Sequence, residues 1–496
     1  MTLVDPSSWP LALRLAAAFL AGVLSVGAFA PFDYGLLALA GPLVLFRLWL
    51  DATPRGALLL GWVYGLGLLG FGVFWMRVSI IQFGGVNLAL ALFITLGFAA
   101  LMALYYGLAG WLGVRLAAGR PAVALLASFP AAWVMAEWLR GWVLGGFPWL
   151  ALGHSQLGLP SAGYAPVLGV YGVSLILALS AGLLLSWRRV WPLALVVALW
   201  AGGWGLGLLQ WTRPAGAPFQ VSIIQGNVPQ EIKWRREQFL PTLTLYTGLT
   251  REATESRLVI WPETAVPAFA HRVEEELLRP LGESAAAAGR DVLLGIPVQQ
   301  PDGRYYNAML NLGASGRASY FKRHLVPFGE FMPLRPLLAP LIELFAIPLS
   351  EFSAGDAAKP LLTTAGYPAA ISVCYEDAFG AETIEALPEA AFLVNASNDA
   401  WFGDSLAPHQ HLEIARMRAL ETGRFLLRAT NTGISAIIGP QGEVRAESPQ
   451  FVRHVLTASI TPRAGATPYV RLGNAAVVAL CALLLGFAAY RRRSAP

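Results

Sequence analysis

Charge is what this 496-residue chain has least of: Asp, Glu, Lys and Arg together make up 13% of it, against 56% apolar residues. Ordinary soluble domains carry roughly 25% charged residues, so a freely soluble globular protein is excluded and a membrane protein is indicated. Cysteine is nearly absent. Of the two present, Cys481 falls in an apolar run far from Cys374, which argues against a disulfide framework. The net charge of +5 is small and comes largely from single arginines between apolar runs, so nucleic acid is not an expected partner. Lysine occurs only at positions 233, 322 and 359, and arginine supplies every other basic residue. A GC-rich genome is one source of that bias. The other is a need, where Lys is kept, for a compact ammonium of tunable pKa in place of a planar, always-charged guanidinium, and this singles out Lys322. Internal repeats and low-complexity segments are also missing.

What is present is a series of long apolar runs, near 11–30, 35–50, 56–76, 86–112, 121–139, 161–187, 190–210 and 472–490. About 20 helical residues cross the hydrocarbon core of a bilayer, so eight spans are expected, the second being short and containing Pro42. Arg47 and Arg55, Arg115 and Arg120, Arg188 and Arg189, and Arg491, Arg492 and Arg493 mark alternate connections. The positive-inside rule puts those connections and both termini in the cytoplasm, and the long segment before the last span outside, in a bacterium the periplasm. Ala28-Phe29-Ala30 has the pattern of a signal-peptidase site, but Pro31 follows and more spans come next, so an uncleaved first helix is expected. The chain therefore divides into a membrane domain at 1–212 with about seven helices, a domain at 213–465, and an eighth helix with a basic tail at 466–496.

Residues 213–465 hold most of the acidic residues and read as an α/β domain. Short β-branched runs at 221–224 and 257–260 predict strands, as do 292–296, 369–374, 391–395 and 434–438, with a hairpin turn at Pro440-Gln441-Gly442. The stretch 332–352 is strongly apolar, but Pro333, Pro336, Pro340 and Pro348 exclude a regular spanning helix. Two readings stand: a loop dipping into the bilayer surface, or one packed over the domain's own core.

Three polar residues stand where strands are expected to end, the place where α/β folds build sites: Glu263, Lys322 and Cys374. A thiol attacks as thiolate, so it needs a base to take its proton and a cation to hold the charge that moves onto a carbonyl oxygen. Taken singly, a buried Cys is usually packing, a Glu before a loop a cap and a Lys surface. Their neighbours alter that balance: Trp261-Pro262-Glu263-Thr264, then Phe321-Lys322-Arg323-His324-Leu325-Val326-Pro327-Phe328-Gly329-Glu330, then Cys374-Tyr375-Glu376-Asp377.

Together these motifs resemble the nitrilase superfamily signature. With Gln225-Gly226-Asn227-Val228-Pro229-Gln230, Lys233-Trp234, Tyr306-Asn307, and Ser397-Asn398-Asp399-Ala400-Trp401-Phe402-Gly403, the whole chain looks like the apolipoprotein N-acyltransferase family, the membrane-embedded branch. The resemblance implies a polytopic helical membrane bundle bearing a nitrilase-like α-β-β-α sandwich. It implies Glu263 as general base, Cys374 as acylated nucleophile and Lys322 as oxyanion stabiliser, with Glu330 as a second essential carboxylate. Trp234, Tyr375, Glu376, Asn398 and Trp401 follow as supporting or substrate-binding residues, although a helix-dipole acid at 376 and packing tryptophans are the plainer readings. The implied reaction is ping-pong: an acyl chain passes from a phospholipid, phosphatidylethanolamine being expected, through a Cys374 thioester to the α-amino group of a diacylated apolipoprotein. No cofactor is called for, and a monomer is expected. His409 and His411 lack an obvious third ligand, so a metal site is not expected. Glu137 and Arg140 are read as an interfacial pair before a lipid head-group site. The rivals are a membrane-tethered amidase using the same triad, and a transporter or binding protein.

Overall fold

The computed structural model describes residues 8–186, 190–327, 329–331, 352–356 and 360–494. Its chain forms two units, one of Met1–Ile81, Val86–Gln210 and Arg471–Pro496, the other of Gln82–Gly85 and Trp211–Val470. The stretch 332–351, Arg188, Arg189 and Lys359 lie outside the described residues.

The first unit is helical. Among the described residues, six helices are long and apolar enough to cross a membrane: Pro54–Gly72, Leu88–Ala117, Pro121–Arg140, Pro160–Leu185, Val190–Gly207 and Ala475–Arg493. The first two apolar runs form shorter helices, Leu11–Val26 and Gly35–Leu50, so six of the eight expected spans meet the length requirement. Gly27 ends the first of these, and Pro31 lies just beyond; the second opens as a 3-10 turn before Ala40. Sixteen residues rise only about 24 Å. Where hydrocarbon lies outside, helices gain little by hiding apolar area and associate through close backbone approach. A Cβ on Gly22 would stand 2.2 Å from the Tyr64 carbonyl, and one on Gly67 2.3 Å from that of Phe19, so both faces of that crossing require glycine. Glu137 and Arg140 are both buried in this unit: the Glu137 carboxylate accepts from Trp133 Nε1 and Leu152 N, and Arg140 donates to the Trp149 carbonyl at 2.5 Å. Both serve as internal anchors of this unit.

The second unit is a two-sheet sandwich. Strands β2 (Phe219–Gln225), β3 (Leu258–Ile260), β4 (Asp291–Gln299), β5 (Tyr305–Gly313), β6 (Ala318–Phe321) and β13 (His454–Ile460) form one sheet in the order β13-β2-β3-β4-β5-β6. Strands β7 (Leu361–Thr364), β8 (Tyr367–Val373), β9 (Phe392–Ser397), β10 (Leu426–Thr430), β11 (Ala436–Ile438) and β12 (Val444–Glu447) form the other, in the order β12-β11-β10-β9-β8-β7. The short pair β1 (Arg213–Pro214) and β14 (Arg463–Ala464) joins the two ends of the unit. In each sheet the central strands run parallel: β2, β3 and β4 in one, β8, β9 and β10 in the other.

Side-chain alternation makes three apolar layers from these strands. Val221, Ile223, Ile260, Leu293 and Met309 meet Ile371, Val373, Phe392, Val394 and Leu427 between the sheets. The opposite faces, with Ile224, Val259 and Leu294 on one sheet and Leu393 and Leu426 on the other, pack against helices. Arg236–Glu252 and Arg279–Ala287 cover the first sheet, Ala407–Thr422 the second. This is the α-β-β-α sandwich.

Candidate active site

Cys374 follows β8 directly and has φ +53°, a left-handed conformation uncommon for a residue with a side chain. The turn Cys374–Ala378 that begins there is held by Glu376. Tyr320 Oη donates to both oxygens of that carboxylate at 2.9 and 3.0 Å, and the backbone N–H groups of Val373, Arg323 and His324 donate at 2.7, 2.7 and 3.0 Å. Glu376 thus fastens the Cys374 turn to the segment that carries Lys322. Burial pushes its carboxyl above the usual range against the pull of those hydrogen bonds.

Lys322 follows β6, and its backbone N–H donates to the Asn307 carbonyl on β5 at 2.8 Å. The ammonium is buried, 2.8 Å from one Glu330 oxygen, 2.9 Å from the other and 3.5 Å from Glu263 Oε1. Burial alone would lower its pKa, but the charges of Glu330 and Glu263 raise it well above the ordinary value, so it is a permanent cation. Asn307 Nδ2 links the two carboxylates, donating to Glu263 Oε1 at 2.7 Å and to Glu330 Oε1 at 3.2 Å. Glu263 lies three residues beyond β3 on a loop that crosses β4 closely. A Cβ on Gly295 would fall 2.3 Å from the Pro262 carbonyl and 2.8 Å from Glu263 Cα, so that crossing depends on glycine.

Cys374 lies within the field of this group. Burial pushes its thiol up and out of the ordinary range, the Glu263 charge adds to the rise, and Lys322 and a hydrogen bond to Ser397 oppose it. At rest the sulfur is therefore a neutral thiol beside a carboxylate, and the thiolate arises only when its proton moves.

Of the supporting residues read from sequence, Glu330 joins this cluster and Glu376 props it. Asn398 is buried in a different network: its amide donates to Gln230 Oε1 at 2.7 Å and its carbonyl accepts from Asn431 at 3.2 Å, while Asn431 pairs with both backbone groups of Val228. Gln225 binds Ser435 and Ser448 through its Oε1, so the 225–230 motif stitches loops together. Tyr375 packs on Phe379 and His324, and Trp234 and Trp401 are 55% and 38% exposed.

Asn307 stood in a quoted motif, but its bridging of two carboxylates was not foreseen. A buried cluster beyond Cys374 was missed entirely. His411 lies between Asp377 Oδ1 at 2.9 Å and Asp399 Oδ1 at 3.2 Å, and Arg428 reaches Asp399 at 2.9 Å and Asn395 Oδ1 at 2.8 Å. Burial and Arg428 would lower the imidazole pKa, yet the two carboxylates raise it; Asp399 is held well below its usual range by Arg428 and His411 in spite of its burial. From this cluster Asn395 donates to the Cys374 carbonyl and Ser397 donates to Asp399, so it braces the nucleophile's backbone. His409 turns elsewhere, to Gln450.

Two family models match the chain: the apolipoprotein N-acyltransferase N-terminal domain over residues 21–183, and carbon-nitrogen hydrolase over residues 220–469. Among curated relatives, the apolipoprotein N-acyltransferase of Methylococcus capsulatus is 51% identical, with 95% of each chain covered. The protein of the same name from Nitrosomonas europaea is 44% identical over 95% of this chain and 96% of that one, and that of Vibrio cholerae 40% over 97% of each. Among solved structures, the carbon-nitrogen hydrolase of Helicobacter pylori matches 49% of this chain and 89% of its own, at 16% identity and a TM-score of 0.38. With relatives this similar along nearly its whole length, the chain belongs to the apolipoprotein N-acyltransferase family.

Proposed function

We propose that the protein moves one acyl chain from a membrane phospholipid to the α-amino group of a lipoprotein's diacylglyceryl-cysteine, through a thioester on Cys374. The observation that carries this reading is a buried neutral thiol in the field of Glu263 and Lys322, with Glu330 holding the Lys322 ammonium. Glu263 takes the thiol proton as the sulfur attacks the ester carbonyl, and Lys322 holds the oxyanion. Collapse expels the lysophospholipid alkoxide, which recovers the proton from Glu263. The incoming amine then attacks the thioester and gives its proton to Glu263; collapse forms the amide and expels the Cys374 thiolate, which takes that proton from Glu263 and returns to its resting thiol. Glu330 and Asn307 keep Lys322 and Glu263 in register during both halves. Phosphatidylethanolamine is the proposed donor, and the working unit a monomer.

The membrane bundle fits this chemistry because both substrates are anchored by acyl chains, and extracting one costs about 0.8 kcal/mol per methylene. The arginine-flanked connections support a topology with both termini in the cytoplasm of a bacterial inner membrane and residues 213–465 in the periplasm as the catalytic domain. A tethered amidase would use the same triad with water as the second nucleophile. Supplying labelled phospholipid together with a diacylated lipopeptide separates the two: label must appear as an amide on the lipopeptide, and release of free fatty acid alone would sink the transferase reading.

A further inference from the structure

Two of the three lysines in this chain are buried and reach the same residue, Lys322 the Glu263 carboxylate and Lys233 the Glu263 backbone carbonyl, and only Lys322 has been given a task. Lys233 ends the helical turn Gln230–Lys233, immediately before Trp234, and is 2% exposed. Its Nζ lies 3.4 Å from the Glu263 backbone carbonyl, and its charge interacts with that of Glu263. An ammonium has three protons to place, and burying one on a single long hydrogen bond opposes folding. Burial indeed lowers its pKa to about 8, although Glu263 pulls the other way. A residue that costs stability where a Met of similar length would pack well is explained by what it does for its neighbour.

We infer that Lys233 is a positioning residue for acyl transfer: its ammonium, donating to the Glu263 backbone carbonyl, pins the Glu263 peptide and so holds the carboxylate in place to accept the Cys374 proton. Lys322 is shared between two carboxylates and faces the oxyanion, so it alone leaves Glu263 and Glu330 with one cation between them. Lys233 adds a hydrogen bond from outside that pair and ties the turn before Trp234 to the base. This inference rests on the thioester reading above.

The test is single-turnover acylation of the full-length protein in lipid nanodiscs, using labelled phospholipid without acceptor. Lys233→Met is expected to lower the acylation rate constant at saturating lipid by about tenfold or more. The lipid level giving half-maximal rate should move by less than about threefold, and the melting temperature should hold or rise. Lys233→Arg, which keeps the charge, is expected to recover part of the rate and decides the matter should the Met variant fail to fold. Wild-type acylation by Lys233→Met, or a rate loss matched by loss of lipid affinity, would overturn the inference. Absence of acylation in the wild type would instead remove the reading beneath it.

Discussion

At the scale of single residues, the site is legible where chemistry needs a particular functional group and obscure where a residue only holds another. Glu263, Lys322 and Cys374 stood out from sequence because each belongs to a recurring motif; an ion pair ties Lys322 to Glu263, and the fields of both reach Cys374. Glu376 read equally well as a substrate contact or a helix-dipole acid. Four donors converging on its buried carboxylate give it another role, that of a strut between the Cys374 turn and the Lys322 segment. Glu376→Gln replaces one acceptor oxygen with a donor facing other donors, which leaves buried N–H groups without a partner. It is expected to cost about 3 kcal/mol of stability, to lower the rate of Cys374 acylation and to leave lipid affinity nearly unchanged. A thermal melt beside single-turnover kinetics checks this, and wild-type stability in the variant would refute the strut.

At the scale of elements, periodicity succeeded where one physical environment ruled a whole segment. The runs that became β2, β3, β4, β8 and β9 are almost continuously buried, so their β-branched stretches were readable. Strand β5 escaped because Asn307 and Asn311 interrupt it, and β10 because Arg428 sits in its middle. Each of these polar residues is buried and bonded, Asn307 and Arg428 to the distant Glu263 and Asp399 and Asn311 to the Gly316 carbonyl of the following turn, and apolar alternation reveals none of these bonds. Among the helices, the short Leu11–Val26 and Gly35–Leu50 show that an apolar run predicts a helix more surely than it predicts that helix's length. Their arginine-marked connections carry the proposed topology. A fluorescent protein fused after Arg493 should glow in the cytoplasm, and alkaline phosphatase fused after Gln210 should be active in the periplasm. The reverse pattern would overturn the orientation.

At the scale of the whole molecule, composition divided the chain before any motif was considered. An apolar unit poor in charge and a sandwich rich in it cannot share one solvent, and 51% identity along 95% of a relative shows that both belong to one inherited protein. What composition could not supply is the convergence of residues 263, 307, 322, 330 and 374, which depends on how two sheets pack. The central claim is that this convergence makes Cys374 an acyl carrier. The most direct measurement is peptide mass spectrometry of the full-length protein after incubation with phospholipid and no acceptor. The account predicts one fatty acyl group on the Cys374 peptide, released by neutral hydroxylamine and absent from Cys374→Ala. An unmodified Cys374 in a folded, lipid-loaded protein, or an acyl group on another residue, would contradict it.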